Sequence, residues 1–112
     1  MPELRFPPQQ LTVALSRHAA WAGGRSEGER LQRRGEDLSF YRFDSAKLND
    51  AVLSRCVLSG SSLVKAELRR ADLFAVDLMR ADLSGAILDR ADLRGANMMK
   101  TVLRGASLNQ AD

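Results

Sequence analysis

Residues 71–95 read ADLFA VDLMR ADLSG AILDR ADLRG, which are five consecutive five-residue units with a leucine at the third position. The same division extends without a gap over residues 36–110 and gives fifteen units. The third residue is leucine in thirteen of them, with Phe43 and Met98 as the exceptions, and the first residue is alanine in nine. A repeat this regular indicates a solenoid that is built by stacking one small unit.

A period of five residues fits neither an α-helix nor a continuous β-strand. On an α-helix, residues five apart are rotated by about 140°, so the leucines would not form a stripe. On a strand, they would alternate between the two faces. The chain must therefore change direction once per unit. The first and third residues of each unit then point to the axis of a coil, and the other three face water.

The third residues of the units are the predicted core. A large side chain at this position fills the axis, and a small one at the first position fits where the space is tighter. Cys56 stands at a first position, so we expect it to be buried in place of alanine. The predicted core ladder consists of Leu58, Leu63, Leu68, Leu73, Leu78, Leu83, Leu88, Leu93, Met98 and Leu103.

Units such as Ala71-Asp72-Leu73 and Ala81-Asp82-Leu83 resemble the pentapeptide-repeat proteins, whose motif is Ala-Asp/Asn-Leu followed by two variable residues. The resemblance covers roughly the last two thirds of the chain. It implies an all-β solenoid, namely a right-handed, four-sided β-helix with four units in each coil. Fifteen units would then make just under four coils, and we assign this domain to residues 36–112.

Residues 1–35 form a leader, in which we predict an α-helix over about residues 9–22. Prolines precede this stretch and Gly23 and Gly24 follow it, as is typical of helix boundaries. We expect this helix to be an N-terminal cap that covers the leucine end of the first coil. The predicted cap residues are Leu11, Leu15, His18 and Trp21.

The leader has two further features. Residues 31–35 fall in repeat register but carry Arg33 at the leucine position, which predicts a distorted, polar lead-in turn. The combination of His18, Trp21 and the following glycine pair resembles the leader of some bacterial and phage pentapeptide-repeat proteins.

The net charge of +3 is confined to the leader. Residues 1–35 hold six Arg and three Glu, whereas residues 36–112 hold eleven basic and eleven acidic side chains. A neutral repeat favours a self-compensating, solvated surface over phosphate binding, so nucleic acid is disfavoured as a partner. The basic cluster of the leader is the candidate nucleic-acid contact and consists of Arg25, Arg30, Arg33 and Arg34.

If four units make one coil, residues twenty apart stack on one another. Asp72, Asp92 and Asp112 then lie in one outer column, and Arg70 and Arg90 lie in the column two residues before it. We expect the arginine column to offset the repulsion within the aspartate column.

The same stacking brings Met79 and Met99 into one outer column, with Val57 nearby. Such a patch of flexible thioethers is a candidate protein-binding surface.

After the last unit, the sequence has no helix, aromatic cluster or charged tail that would cover the last coil. A second copy, another protein or a longer parent chain are the alternatives, and we favour a homodimer through Leu103 and Leu108.

Enzymatic chemistry has little support in this sequence. The one histidine lies on the predicted cap helix, and successive aspartates should lie on different sides of the coil. We find no cofactor, nucleotide or metal motif, so we predict no catalytic residue, no metal ligand and no cofactor. The single cysteine suits a reducing compartment, and no apolar run approaches the ~20 residues of a membrane span, so we expect a cytoplasmic protein without a membrane anchor.

The sequence therefore predicts a non-enzymatic interaction or scaffold module that uses its flat sides and its open C-terminal end. The resemblance supplies an alternative, because some pentapeptide-repeat proteins are DNA mimics that bind and protect bacterial DNA gyrase. Mimicry requires a long and strongly negative rod, and the neutral repeat argues against it. Weak nucleic-acid binding through the Arg-rich leader is the second alternative.

Overall fold

The computed structural model describes residues 3–112, so Met1 and Pro2 of the predicted leader lie outside it. The α-helix of the leader, α1, spans Gln9–Ala22. At its end, the backbone N–H of Gly23 donates to the carbonyl oxygen of Ala19 at 3.1 Å. Within the described residues, no helix is long and apolar enough to cross a membrane.

The repeat is held together by isolated parallel β-bridges between residues twenty apart in the chain. The first joins Gln32 to Val52, and the last joins Ile87 to Ser107. In the repeat, each bridge is made by the second residue of a unit, so the chain completes one circuit in four units and then stacks on itself. The architecture is a solenoid whose strands are reduced to one bridged residue per unit.

Each unit ends in a tight turn, which is why the chain bends after every five residues. The backbone N–H of Ala51 donates to the carbonyl oxygen of Leu48 at 3.1 Å, and the same bond recurs at later units. The fifth residue of every unit from Phe40 to Gln110 has a positive φ, close to 60° at Ala75 for example. A type II turn requires this conformation at its third residue, and it costs a non-glycine residue about 1 kcal/mol.

The axis of the solenoid is filled by the third residues of the units. Among the predicted core ladder, the leucines from Leu58 to Leu88 are fully buried, and Leu93 is nearly so. Met98 and Leu103, which lie in the last coil, are only partly buried against the same cluster. Cys56 is buried at its first position, and burial raises the pKa of its thiol.

The unit that begins at Leu31 keeps the register of the repeat but lacks the hydrogen-bonded turn that closes the later units. Gln32 keeps the bridge register with Val52, and Gly35 has the positive φ of the other fifth residues. Leu31 is buried at the first position and joins the apolar cluster, so it supplies the axial side chain that Arg33 cannot provide. The bridged repeat therefore begins one unit earlier than the predicted domain boundary.

Helix α1 lies against the first coil, although one of the four predicted cap residues does not take part in this packing. Leu11 is buried in the cluster that contains the axial leucines, and Leu15 is partly buried against it. Trp21 is outside the cluster and remains 37% exposed. Its ring lies 5.4 Å from the ring of His18, and the guanidinium of Arg30 lies over it. The expectation that Trp21 covers the leucine end is therefore wrong.

A short extended segment before α1 pairs with the edge of the first coil. The sequence did not predict this pairing. Arg5 bridges Tyr41 in parallel, with its N–H donating to Phe40 O and its carbonyl oxygen accepting from Arg42 N–H, both at 2.8 Å. The guanidinium of Arg5 also lies 4.7 Å from the centre of the Tyr41 ring. The segment thus closes part of the backbone edge that a preceding coil would otherwise occupy.

Candidate interaction surfaces

The last coil presents its axial side chains to solvent. In the middle of the solenoid, each axial leucine is covered by the layers on both sides. At the C-terminal end, Met98 and Leu103 are only partly buried, and Leu108 is 39% exposed. An apolar centre of this kind is a candidate contact for another protein.

The backbone edge of the last coil is also without partners among residues 3–112. Within the solenoid, the N–H of each third residue donates to a carbonyl oxygen in the next layer, as Leu83 does to Val102 at 2.8 Å. The N–H groups of Met98, Leu103 and Leu108 make no such bond within the described residues. Unpaired edges of this type can pair with another chain.

The predicted methionine patch is divided between one side and the end of the solenoid. The N–H of Gly60 donates to Met79 O at 2.9 Å, and the N–H of Arg80 donates to Met99 O at 3.0 Å, so Met79 and Met99 lie in neighbouring layers. Met79 and Val57 are half-buried on the side. Met99 is 62% exposed beside the open end. The apolar surface therefore grows toward the C-terminal coil.

The second-position aspartates are bound to their own turns. In five aspartates and in Asn97, one side-chain oxygen accepts the backbone N–H two residues later, which is the geometry of an Asx turn. The second position was predicted only to face water, although the frequent Asp and Asn there are the signal for such turns. The pairs are Asp37 with Ser39, Asp72 with Phe74, Asp77 with Met79, Asp82 with Ser84, Asp92 with Arg94 and Asn97 with Met99.

The arginine column does not pair with the aspartate column as expected. Arg70 donates two hydrogen bonds to the Asp50 carboxylate, at 2.9 and 2.8 Å, and Asp50 lies twenty residues earlier in the same column. Arg90 donates to the side-chain oxygen of Gln110 at 2.8 Å, again twenty residues away. The bond from Arg70 is the main cause that lowers the pKa of Asp50. The side-chain bonds of this arginine column therefore run along the corner, parallel to the axis.

Three of the four arginines predicted as nucleic-acid contacts have partners within the chain. The contacts are Arg25 with Glu27 at 3.8 Å, Arg33 with Glu36 at 3.0 Å, and Arg30 with the carbonyl oxygen of Asp50 at 2.7 Å. Arg34 is exposed. The carboxylates beside Arg25 and Arg33 offset their positive charge, which weakens the attraction of this cluster for phosphate.

His18 joins α1 to the first coil by two hydrogen bonds. Its side chain is 0% exposed. The backbone N–H of Leu31 donates to Nδ1 at 2.9 Å, and Nε2 lies 2.7 Å from the carbonyl oxygen of Asn49. Desolvation by burial lowers the pKa of the imidazole. The histidine is thus a structural link between three segments of the chain.

The interior has little room for a ligand. A cavity of about 10 Å³ between α1 and the first coil is lined by leucines and Phe43, and it is about as large as the space for one water molecule. Two wider clefts, of about 160 and 170 Å³, are open to solvent beside α1. Within residues 3–112, no three His, Cys, Asp or Glu side chains converge as metal ligands would.

The bridge register of twenty residues, the turn after each unit and the leucine axis define a β-solenoid of pentapeptide units. The sequence match agrees with this class. The chain belongs to the pentapeptide repeat family, because the family model for pentapeptide repeats matches residues 37–73 and 77–112 in eight copies. This membership implies a right-handed β-helix.

Several solved structures are similar to this chain. A pentapeptide repeat protein from the thylakoid lumen of Arabidopsis thaliana is 31% identical over 72% of this chain and 52% of its own, with a TM-score of 0.36. One from Nostoc PCC 7120 is 26% identical over 87% of this chain and 84% of its own, with a TM-score of 0.47. QnrB1, a plasmid-mediated fluoroquinolone resistance protein, is 20% identical over 74% of this chain and 58% of its own, with a TM-score of 0.38.

These overlaps are partial and carry no argument on function. The chain spans little more than half the length of the Arabidopsis protein and of QnrB1. None of the curated proteins compared with the chain matches it. The family assignment therefore rests on the repeat match.

Proposed function

We propose that this chain is a non-enzymatic protein-interaction module that binds a second copy of itself through its C-terminal coil. The observation that carries the proposal is the exposed axis of that coil, where Leu108 is 39% exposed beside partly buried Leu103 and Met98. Burial of such side chains stabilises an interface by about 25 cal/mol for each Å² of apolar surface removed from water.

The two ends of the solenoid favour a symmetric pair over an open chain of copies. At the N-terminal end, α1 and the segment around Arg5 already occupy the edge of the first coil. A head-to-tail contact would have to displace them. Two C-terminal coils can meet about a twofold axis and bury the same patch on both copies, which closes the assembly at a dimer.

The sides of the solenoid suit a scaffold role in addition. The bridges between layers and the Asx turns fix the outward side chains in columns, and Met79 and Val57 lie on one such side. A rigid surface loses little conformational entropy on binding. We propose that a heterologous protein partner contacts this side while the end is occupied by the second copy.

The absence of catalysis is part of the proposal and is supported by the packing. The leucine axis leaves a cavity of only about 10 Å³ under α1, which is too small for a substrate. The aspartates that a catalytic carboxylate pair would need accept hydrogen bonds from their own turns. A cytoplasmic location remains a prediction that rests on the sequence alone.

The mass of the protein in solution tests the proposed dimer. We expect light scattering or sedimentation to give a concentration-dependent dimer for the unmodified chain. Leu108→Asp should be monomeric at the same concentrations, because a carboxylate at the centre of the interface would be buried without a partner. Val13→Asp is the matched control, since Val13 is similarly exposed, at 47%, but lies on α1 at the other end.

A monomer at every concentration for the unmodified chain would contradict self-association. A dimer that Leu108→Asp leaves intact would show that the contact lies elsewhere. If Val13→Asp abolished the dimer, the C-terminal coil would lose its assigned role.

No observation favours either of the alternatives. For the gyrase mimic, the repeat is net neutral, and the turn N–H groups bind the second-position carboxylates instead of leaving them free to imitate phosphates. For nucleic-acid binding, Arg25 and Arg33 are paired with carboxylates. Both alternatives remain predictions from the resemblance and from the charge of the leader.

A further inference from the structure

The contact between α1 and the first coil depends on the protonation state of one histidine. The backbone N–H of Leu31 can only donate, so the Nδ1 atom that it contacts at 2.9 Å must carry a lone pair. The Nε2 atom must then carry the proton and donate to the carbonyl oxygen of Asn49 at 2.7 Å. Both ring nitrogens are therefore used, and only the neutral imidazole satisfies both contacts.

A second proton on His18 would fall on Nδ1, where it meets the Leu31 N–H. The hydrogen bond would be replaced by two donors facing each other, and a cation would lie at a site that is 0% exposed. Water cannot solvate this cation unless α1 moves away from the coil. Protonation thus opposes the packed position of the helix.

The charged groups around the ring come from three segments. On the lead-in segment between α1 and the repeat, residues 23–30, Arg30 disfavours a cation at His18, and on the first coil the Asp50 carboxylate favours it. Asp50 is already held by two hydrogen bonds from Arg70, which lessens its effect on the ring. On α1 itself, Arg17 pairs with Glu29 of the lead-in segment at 3.5 Å.

Helix α1 covers a surface that is otherwise apolar. Its Leu11 and Leu15 close the small cavity at the N-terminal end of the axis. If α1 left, the apolar side chains at this end of the axis would meet solvent. They include Leu31, Leu38, Phe43 and Leu48.

We propose that His18 is a pH-operated latch, whose protonation releases α1 from the first coil and uncovers the apolar N-terminal end of the leucine axis. At neutral pH, the ring is neutral and the helix is docked. In acid, the released helix exposes a second apolar end, which the docked helix keeps out of contact with other molecules. This device is distinct from the C-terminal interface and operates whether or not the chain dimerises.

The direction of the pH dependence follows from the burial of the ring. Because burial lowers the pKa of His18 in the docked state, the released state binds the proton more tightly. Docking is therefore fully favourable above the ordinary imidazole pKa of about 6.5 and weakens as the pH falls below it. The docking equilibrium shifts by up to about tenfold per pH unit until the docked histidine also becomes protonated.

Amide hydrogen exchange measured by NMR between pH 7.5 and 5 tests the latch. After correction for the intrinsic exchange rate, we expect the α1 amides to lose protection by about tenfold or more, while amides of residues 58–88 keep theirs. His18→Gln should abolish this dependence, because its side chain can accept and donate hydrogen bonds but does not titrate. Asp50→Asn is the matched control for the nearby carboxylate and should retain the dependence.

A second readout uses the unmodified chain and needs no variant. His18 is the single histidine and Trp21 the single tryptophan, and their rings are 5.4 Å apart. The NMR titration of His18 and the pH-dependent change in Trp21 fluorescence should therefore share one midpoint. Equal α1 protection at pH 5 and 7.5 would overturn the proposal. So would a pH dependence that persists in His18→Gln, or a Trp21 midpoint separate from that of His18.

Discussion

The two ends of the solenoid carry the same repeat but differ in how far their leucines are buried. Leu48 and Leu108 are both third residues of units on the same side of the coil, and Leu48 is 2% exposed while Leu108 is 39% exposed. At the N-terminal end, α1, the unit that begins at Leu31 and the segment around Arg5 lie over the first coil. Nothing among residues 3–112 lies over the last one.

This difference shows that the repeat determines the direction of a side chain more fully than it determines the burial of that side chain. The position within a unit sets the direction of a side chain, because the turn after each fifth residue fixes the orientation of the next unit. The layer beyond it sets the burial. A leucine at the correct position therefore contributes its full stabilisation only where another layer or a cap covers it.

The largest expected effect is the unequal cost of truncating these two leucines. Leu48→Ala should lower the free energy of unfolding by about 2–5 kcal/mol, because it leaves a cavity between α1 and the coil. Leu108→Ala should cost below about 1 kcal/mol in the monomer, since much of its side chain is already in water. Chemical denaturation at a protein concentration that keeps the chain monomeric measures both.

Equal costs for the two substitutions would contradict the comparison. A large cost for Leu108→Ala that appears only at high protein concentration would instead show that Leu108 is buried in the proposed dimer.

A smaller effect is expected at two corner glycines. Gly60 and Gly105 both have positive φ, near 70°, so alanine at either one costs about 1–2 kcal/mol in backbone strain. At Gly60, the added Cβ would also lie 2.3 Å from the ring of Phe40, whereas at Gly105 the nearest neighbour would be 3.9 Å away. Gly60→Ala should therefore cost about 1–3 kcal/mol more, as overpacking does. Thermal unfolding of both variants tests this, and similar losses would show that the Phe40 ring moves aside freely.

The smallest expected effect concerns the corner column that contains Arg70 and Arg90. The bond from Arg70 lowers the pKa of Asp50, so this pair stabilises the fold above the ordinary aspartate pKa of about 3.9. That stabilisation is lost as the pH falls through the lowered pKa of Asp50. Arg70→Gln should therefore be slightly destabilising at pH 7 and less so at pH 3.

Arg90→Gln is the control for the Arg70 substitution, because its partner Gln110 does not titrate. Its effect on the unfolding temperature should be the same at both pH values. A pH-dependent effect of Arg90→Gln would mean that the acidic column beside it, and not Asp50, responds to pH.

Much of the fold can be predicted from the sequence because the repeat constrains it many times over. The leucine at every fifth residue leaves one arrangement of the axis, and the family resemblance supplies the number of units in a coil. The ends are harder to predict, since each occurs once. The burial of Leu31 in place of Arg33 depends on which side chain reaches the axis in the first coil. The pairing of Arg5 with Tyr41 depends on a segment that has no repeat pattern.

The surface was predicted less well than the core. Stacking by twenty residues correctly places Met79 next to Met99, but the pairing of Arg70 with Asp50, which lies in the same column, was not predicted. The role of His18 could not be read from its type or spacing. Its function depends on which backbone groups its two ring nitrogens meet, and those groups come from distant parts of the chain.

The fifth residues of the units, which form the corners and have a positive φ, have a practical consequence for engineering. Because the fifth residue of every unit adopts the same conformation whether it is glycine, alanine, arginine or phenylalanine, a corner with free space beside it, such as Gly105, can accept other side chains. Residues at one corner repeat once per layer, at a spacing of roughly 4.8 Å. The solenoid can therefore display chosen groups at known intervals, in rows parallel to the axis.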